Sequence, residues 1–315
     1  MSGDIVLSAG VRSNLLALQN TASLMAQTQE RLSSGKKVNS ALDNPINFFT
    51  ASALTNRASD ISGLLDGVGN AIQTLQAADN GIKAIKQLVQ TAQAAARQAL
   101  QTSSSTARYT GTVSNLTGSS SFAVTATKTI TINDGTTTAT ITSGGTVTVQ
   151  DVIDGVNNAV GLNVKASLTS DGKLLLEGTG ANTIVIGGTA SAPELAQFGL
   201  VAGTTAAGTI NSARSNFAAQ YDTLRTQIDK LAQDASFNGV DLIYGNGLKV
   251  LFNEQSTSSL TIAGVMLDST GLGLAAAGSN FQTDYDVNVA LTNLQNALGT
   301  LASQASNFGS NLSIV

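Results

Sequence analysis

Between Val287 and Val315 the apolar residues recur in steps of four and three: Val287, Leu291, Leu294, Leu298, Leu301, Ala305, Phe308, Leu312 and Val315. That period is one face of a long helix, and such a seam must either be covered by another helix or stand in water. Each large side chain left uncovered forgoes about 1.5–3 kcal/mol of burial. The same constraint holds at the other end. Over residues 5–34, Val11, Leu15, Leu18, Ala22, Met25 and Leu32 make a second seam, with Gln29 as a polar interruption. The chain is therefore predicted to be mainly α, with long coiled-coil-like helices at both ends. Seams of this kind serve assembly more often than chemistry.

Composition agrees with assembly. Charged residues are 11% of the chain, well under the roughly 25% of a typical soluble domain. Ser, Thr, Asn, Gln and Ala fill the gap, giving a polar but nearly uncharged surface suited to packing against copies of itself. The net charge of -4 gives no electrostatic footprint for nucleic acid. The chain has no Cys and no His. That excludes a disulfide framework, thiolate and imidazole metal ligands, and His-dependent nucleophilic catalysis. No enzyme activity, catalytic residue, cofactor or metal site is expected. The start, "MSGDIVLSAGVRSN", lacks a basic leader and has Asp4 in its short apolar run, so it does not read as a cleaved signal peptide. No segment approaches the roughly 20 apolar residues of a membrane span.

The pattern along the chain gives a nested layout. In "SSGKKVNSALDNP", Gly35 is a helix stop and Pro45 bars Asn44 from helical geometry. A second long helix is predicted from about Asn47 to Leu100, with a stripe of Leu65, Val68, Ile72, Leu75, Ile82, Ile85, Val89 and Ala92. From about 109 the character changes to Thr, Gly, Ser and β-branched residues. Asp134-Gly135 and Asp171-Gly172 mark two hairpins. Between them a short helix is expected to turn Val152, Ile153, Val156 and Val160 inward. Helix returns at 213–235 with Phe217, Tyr221, Leu224, Ile228 and Leu231, and Asn238-Gly239 closes it. "LKVLFNEQSTSSLTIAGVMLD" reads as a hairpin, and a last helix begins near Thr283. The expected divisions are 1–46, an N-terminal helix and connecting loop; 47–108, a helical rod; 109–210, an inserted α+β module; 211–282, helix plus hairpin; and 283–315, the final helix.

"RLSSGKKVNSALDNP" after a heptad helix resembles the N-terminal signature of bacterial flagellins. "TLRTQIDKLAQDASFNGVDLI" resembles flagellin's second core helix and the turn that follows it. "DNPINFFTA" is similar to alphaproteobacterial members. The resemblance implies a structural subunit of the flagellar filament, extracellular and used for swimming motility. It implies partners in other flagellin subunits, the flagellar type III export apparatus, the filament cap and hook-associated proteins. It also implies secretion without a cleaved signal peptide. Val11, Leu15, Leu18, Ala22, Met25 and Leu32 would form an inner-tube seam. Arg31, Ser33, Gly35, Asn39, Asp43 and Asn44 would set the connection between tube and rod. Leu291, Leu294, Leu298, Leu301, Phe308 and Leu312 would pack on the core helices. The chain departs from the familiar pattern in two ways: the β-rich module precedes the "FNG" helix, and family members continue beyond this C-terminus, so a truncated subunit is expected.

Other motifs carry less. "GTGANT" is a Gly-rich turn without the lysine of a phosphate loop. Asp151 and Asp154, three apart at the start of a short helix, read as a helix cap before a cation site. The alternative functions are a hook–filament junction protein with the same terminal signatures and, in another class, a surface adhesin or carbohydrate-binding protein using the β-rich module. Scarce aromatics, 4% of the chain, disfavour a sugar-stacking surface.

Overall fold

A computed structural model describes residues 8–315. The readings that fall on residues 1–7, including the predicted start of the N-terminal helix at residue 5, lie outside the described residues. Two compact units are present. One takes in residues up to Gly69 together with Val250–Leu260; the other comprises Asn70–Lys249 and Thr261–Val315.

In the first unit, α1 (Ala9–Ser34) ends on Gly35, which adopts φ 66°. Only a residue without a Cβ enters that left-handed cap without cost. Helix α2 (Pro45–Gln101) starts two residues before the predicted Asn47 because Pro45 suits a first helical position, where no N–H is needed. Asn44 caps it, its Oδ1 accepting from the Asn47 amide at 3.1 Å.

From Ala71 onward α2 is buried on a strict heptad: Ala71, Leu75, Ala78, Ile82, Ile85, Val89, Ala92, Ala96 and Ala99. Leu65, predicted on this stripe, is exposed, and Ile72 is only half-buried beside Ala71. The second unit adds α5 (Ser212–Asp234), buried at Ala218, Tyr221, Leu224, Ile228 and Ala232. It also adds α6 (Asp284–Ile314), buried at Val287, Ala290, Leu294, Ala297, Leu301 and Phe308. The small alanines permit close helix approach. After α5, Asn238 and Gly239 take φ 48° and 80°, as a two-residue hairpin turn between Phe237 and Val240 requires. Strands β10 (Leu248–Leu251) and β11 (Ser259–Ile262) form the predicted hairpin.

The inserted module is α+β. A four-stranded sheet has the order β4 (Thr138–Thr142), β3 (Thr129–Asn133), β8 (Val185–Gly188), β9 (Gly203–Thr204). A three-stranded sheet has the order β1 (Arg108–Thr110), β7 (Leu174–Gly178), β6 (Val164–Leu168). A small ribbon pairs β2 (Ser121–Ala123) with β5 (Thr146–Thr148). Helix α3 (Val149–Asn157) and the short α4 (Ala192–Gln197) complete it. One apolar core holds it together, including Ile130, Ile132, Val152, Val156, Val164, Leu174, Leu176, Ile186 and Phe198. The sequence places the two Asp-Gly hairpins correctly. It does not reveal that β8 leaves its neighbour β7 to pair with β3, nor the short α4. Val160, expected inward, is 95% exposed because α3 ends at Asn157 and the chain turns away.

Candidate assembly surfaces and the module junction

The predicted N-terminal seam stands in solvent. No described residue of α1 is buried; Val11, Leu15 and Met25 are about half exposed, Leu18 is 70% and Leu32 84% exposed, and Ala22 is exposed as well. Further large apolar residues of the same unit are also exposed: Leu42, Ile46, Phe49, Leu54, Ile61 and Leu65. Exposure of this extent is far beyond the scattered apolar residues of an ordinary monomer surface and marks a surface made for contact.

The loop after α1 brings together several of the residues predicted to set its geometry. The Asp43 carboxylate accepts from the Asn39 and Ser40 amides at 3.2 and 3.3 Å, and from the Gln27 side chain. Those backbone donors, with the Arg31 charge nearby, hold Asp43 below the ordinary carboxylate range against the opposing effect of desolvation. Ser34 Oγ donates to Asn39 Oδ1 at 2.7 Å. Arg31 is half-buried, its Nε without a hydrogen-bond partner, while Ser33 is exposed and bonds only to the Glu30 carbonyl. At the other end, Leu294, Leu301 and Phe308 are buried, and Leu291, Leu298 and Leu312 flank them half-buried.

Sequence patterns gave no sign of the residue that organises the centre of the second unit. Arg214, in the first turn of α5, is 1% exposed. Its Nε donates to the Thr102 carbonyl at 2.8 Å, its Nη1 to the Phe281 and Gln282 carbonyls, and its Nη2 to Asp284 Oδ1 at 2.6 Å. It thus ties the end of α2, the entry to α5 and the start of α6 to one guanidinium. Around it Ser279, Asn280 and Phe281 form a left-handed turn with φ 46°, 52° and 56°. Such geometry costs roughly 1–2 kcal/mol per residue and persists only where surroundings enforce it. The enforcing contacts are Phe281 packed on Tyr221, with ring centroids 5.3 Å apart, and the buried Gln282 side chain, which accepts from the Asn211 amide and donates to the Asn211 carbonyl.

Beside this hub, β7 presents Glu177, 1% exposed. Its Oε2 accepts the Asp284 amide at 2.8 Å; its Oε1 is buried with no hydrogen-bond partner and lies 3.6 Å from Arg108. Burial, reinforced by the neighbouring Asp284 charge, pushes Glu177 up to about 7. The acids considered as a cation site do other work. Asp151 completes a capping box with Thr148 at the start of α3, and Asp154 accepts from Gln150. Among the described residues no cluster of three metal-ligating side chains occurs, and no helix is long and apolar enough to cross a membrane.

Fold and surface together define a class: a chain whose first helix carries an uncovered seam and whose last helix buries its own, with a β-rich module between them in the sequence. Comparison with known proteins narrows that class. Residues 11–134 match the family profile described as the bacterial flagellin N-terminal helical region. Flagellin FljM of Caulobacter vibrioides is 33% identical over 102 residues, which is 32% of this chain and 37% of the relative. The match thus spans little more than a third of that flagellin's length. The flagellar cap protein FliD of Escherichia coli, in its D1-D2-D3 domains, aligns with 49% of this chain and 71% of its own at 15% identity, with a TM-score of 0.17 that establishes no common fold. Residues 11–134 are thus similar to the bacterial flagellin N-terminal helical region, and about a third of the chain is similar to the Caulobacter flagellin.

Proposed function

We propose that the chain is a structural subunit of the bacterial flagellar filament, self-assembling outside the cell through its terminal helices and serving swimming motility. The observation that carries this reading is the uncovered apolar seam of α1, which falls inside the segment matching flagellin's N-terminal helical region. A seam of exposed leucines costs solubility unless a neighbouring subunit covers it. On this reading Val11, Leu15, Leu18, Ala22, Met25 and Leu32 meet other subunits. The Asp43-centred loop sets the angle between α1 and α2. Leu291, Leu294, Leu298, Leu301, Phe308 and Leu312 hold the last helix to the rod. The division at 46, 108, 210 and 282 belongs to the same reading, with residues 109–210 as the outer surface. Other flagellin subunits are the principal partners. The export apparatus, the filament cap and hook-associated proteins meet the chain on its way out, without removal of a signal peptide. The role is structural, with no reaction assigned. Electron microscopy of the purified polypeptide under polymerising conditions, seeded with short filaments, tests it. Incorporation into filaments is expected. A chain that neither elongates seeds nor co-sediments with them overturns the reading.

A further inference from the structure

The β-rich module leaves the edge of its four-stranded sheet open at β4. The Ser143 amide donates to the Lys128 carbonyl at 2.8 Å, and bonding residues alternate along an antiparallel ladder, so Ile141 and Ala139 also bond across to Ile130 and Ile132. The N–H and C=O groups of Thr138, Thr140 and Thr142 therefore point away from β3. Among the described residues none of these groups has a hydrogen-bond partner, and all three threonines are exposed. The edge strand of the other sheet, β6, is treated differently. Asn157, at the end of α3, occupies both backbone groups of Ala166: its Oδ1 accepts the Ala166 amide at 2.8 Å and its Nδ2 donates to the Ala166 carbonyl at 2.9 Å. Lys165 adds a charge to the same strand. Of the remaining edges of these two sheets, β9 is two residues long and β1, with three residues, carries Arg108. We propose that the free edge of β4 pairs antiparallel with β4 of a second copy of this chain, joining two four-stranded sheets across a two-fold axis at Thr140.

The residues of the edge select a second copy as the partner. An exposed strand edge is ordinarily blunted by a charge, a proline or a bulge, and β4 carries neither charge nor proline. Between the buried Asp134 and Asp151 no residue is charged, so two such strands meet without like-charge contact and a charged strand finds nothing there to pair with. The spacing is self-complementary. With Thr140 opposite Thr140 on the axis, Thr138 faces Thr142 in both directions, and each pair exchanges its amide and carbonyl. The exposed side chains then form cross-strand Thr–Thr pairs, while Ala139 and Ile141 stay buried in their own module. A large apolar residue stands close by. Val160 is 95% exposed, and the turn that carries it lies against the start of β4, where a Cβ on Gly161 would be 3.7 Å from Thr137 Oγ1. This surface is separate from α1 and its seam, so the pairing does not rest on assembly through the terminal helices.

The test uses the full chain carrying Leu18→Asp, which removes association through α1 and leaves the module free to pair. Sedimentation equilibrium is expected to show monomers and dimers in exchange. Adding Thr140→Lys, which sets two like charges face to face on the axis, should weaken dimerisation at least about fivefold, and Thr140→Glu should do the same. An equimolar mixture of the two variants should regain the original affinity, a recovery that damage to the fold would not allow. Thr140→Cys supplies a second readout. Bonded partners in an antiparallel pair have Cα atoms about 5.5 Å apart, within disulfide reach, so mild oxidation should link the dimer. Val201→Cys, exposed beside β9, should remain unlinked under the same conditions. Absence of the link at position 140, equal dimerisation with and without Thr140→Lys, or a mixture no tighter than either variant alone overturns the proposal.

Discussion

Single residues fix the joints of this molecule. Arg214 satisfies three carbonyls and one carboxylate from a fully buried position. Arg214→Ala is expected to cost about 3–5 kcal/mol, because it strands a partly buried carboxylate and leaves backbone acceptors unpaired. Urea unfolding read by circular dichroism measures this, and a loss under about 1 kcal/mol would contradict the hub assignment. Gly172 closes the β6–β7 hairpin at φ 68°, and a Cβ there would stand 2.7–2.9 Å from backbone atoms of Asn115 and Leu116. Gly172→Ala is therefore expected to lose roughly 1–3 kcal/mol from both the left-handed conformation and the overlap, seen as a lower unfolding midpoint. The glycine's need for a positive φ was legible in the Asp-Gly pair. The backbone of Asn115 and Leu116 lying against it was not, because that contact joins segments more than fifty residues apart.

At the scale of elements, the seams behave differently at the two ends. The buried positions of α6 recur every seven residues at Val287, Leu294, Leu301 and Phe308, with Ala290 and Ala297 between them. Those of α1 keep the same rhythm with none buried. Periodicity announced both, since it records only which face a helix saves for contact. It could not say whether the contact lies within the chain or beyond it. Leu18, 70% exposed, should therefore matter to association and little to folding. Leu18→Asp is expected to abolish incorporation into filaments while the circular dichroism and unfolding of the β-rich module stay unchanged. Normal filament growth by this variant would remove α1 from the assembly surface.

Over the whole molecule, pH acts through carboxyl groups of opposite sense. Desolvation opposes ionisation of Asp134, but donors from Thr136, Thr137 and Asn163 outweigh it and leave the group well below the carboxylate range. Donors from Ser191 and Thr125 lower Glu194 likewise. A depressed folded pKa gives stability that is present above the unfolded value, near 4, and lost as pH falls through the folded one. Glu177, raised to about 7, contributes stability that fades as pH climbs toward neutrality. The β-rich module should accordingly unfold at its highest temperature near pH 5, with lower midpoints at pH 3 and pH 8. Calorimetry across that range checks this, and a midpoint that rises steadily from pH 5 to 8 would contradict it.

The sequence by itself determined the local and periodic features. These are the heptad seams, the Gly35 stop and Pro45 start, the Asp-Gly and Asn-Gly turns, and the resemblance carried by "RLSSGKKVNSALDNP". Each depends on a few neighbouring residues and on fixed helix or turn geometry. Only the tertiary structure decided that β8 pairs with β3, that α3 leaves Val160 in water, that three residues coil left-handed before α6, and that Arg108, Glu177, Arg214 and Asp284 meet. Nothing in a linear pattern ranks one long-range partner above another. That choice falls to whichever packing buries the module's apolar faces while leaving its buried polar groups the fewest unmet bonds.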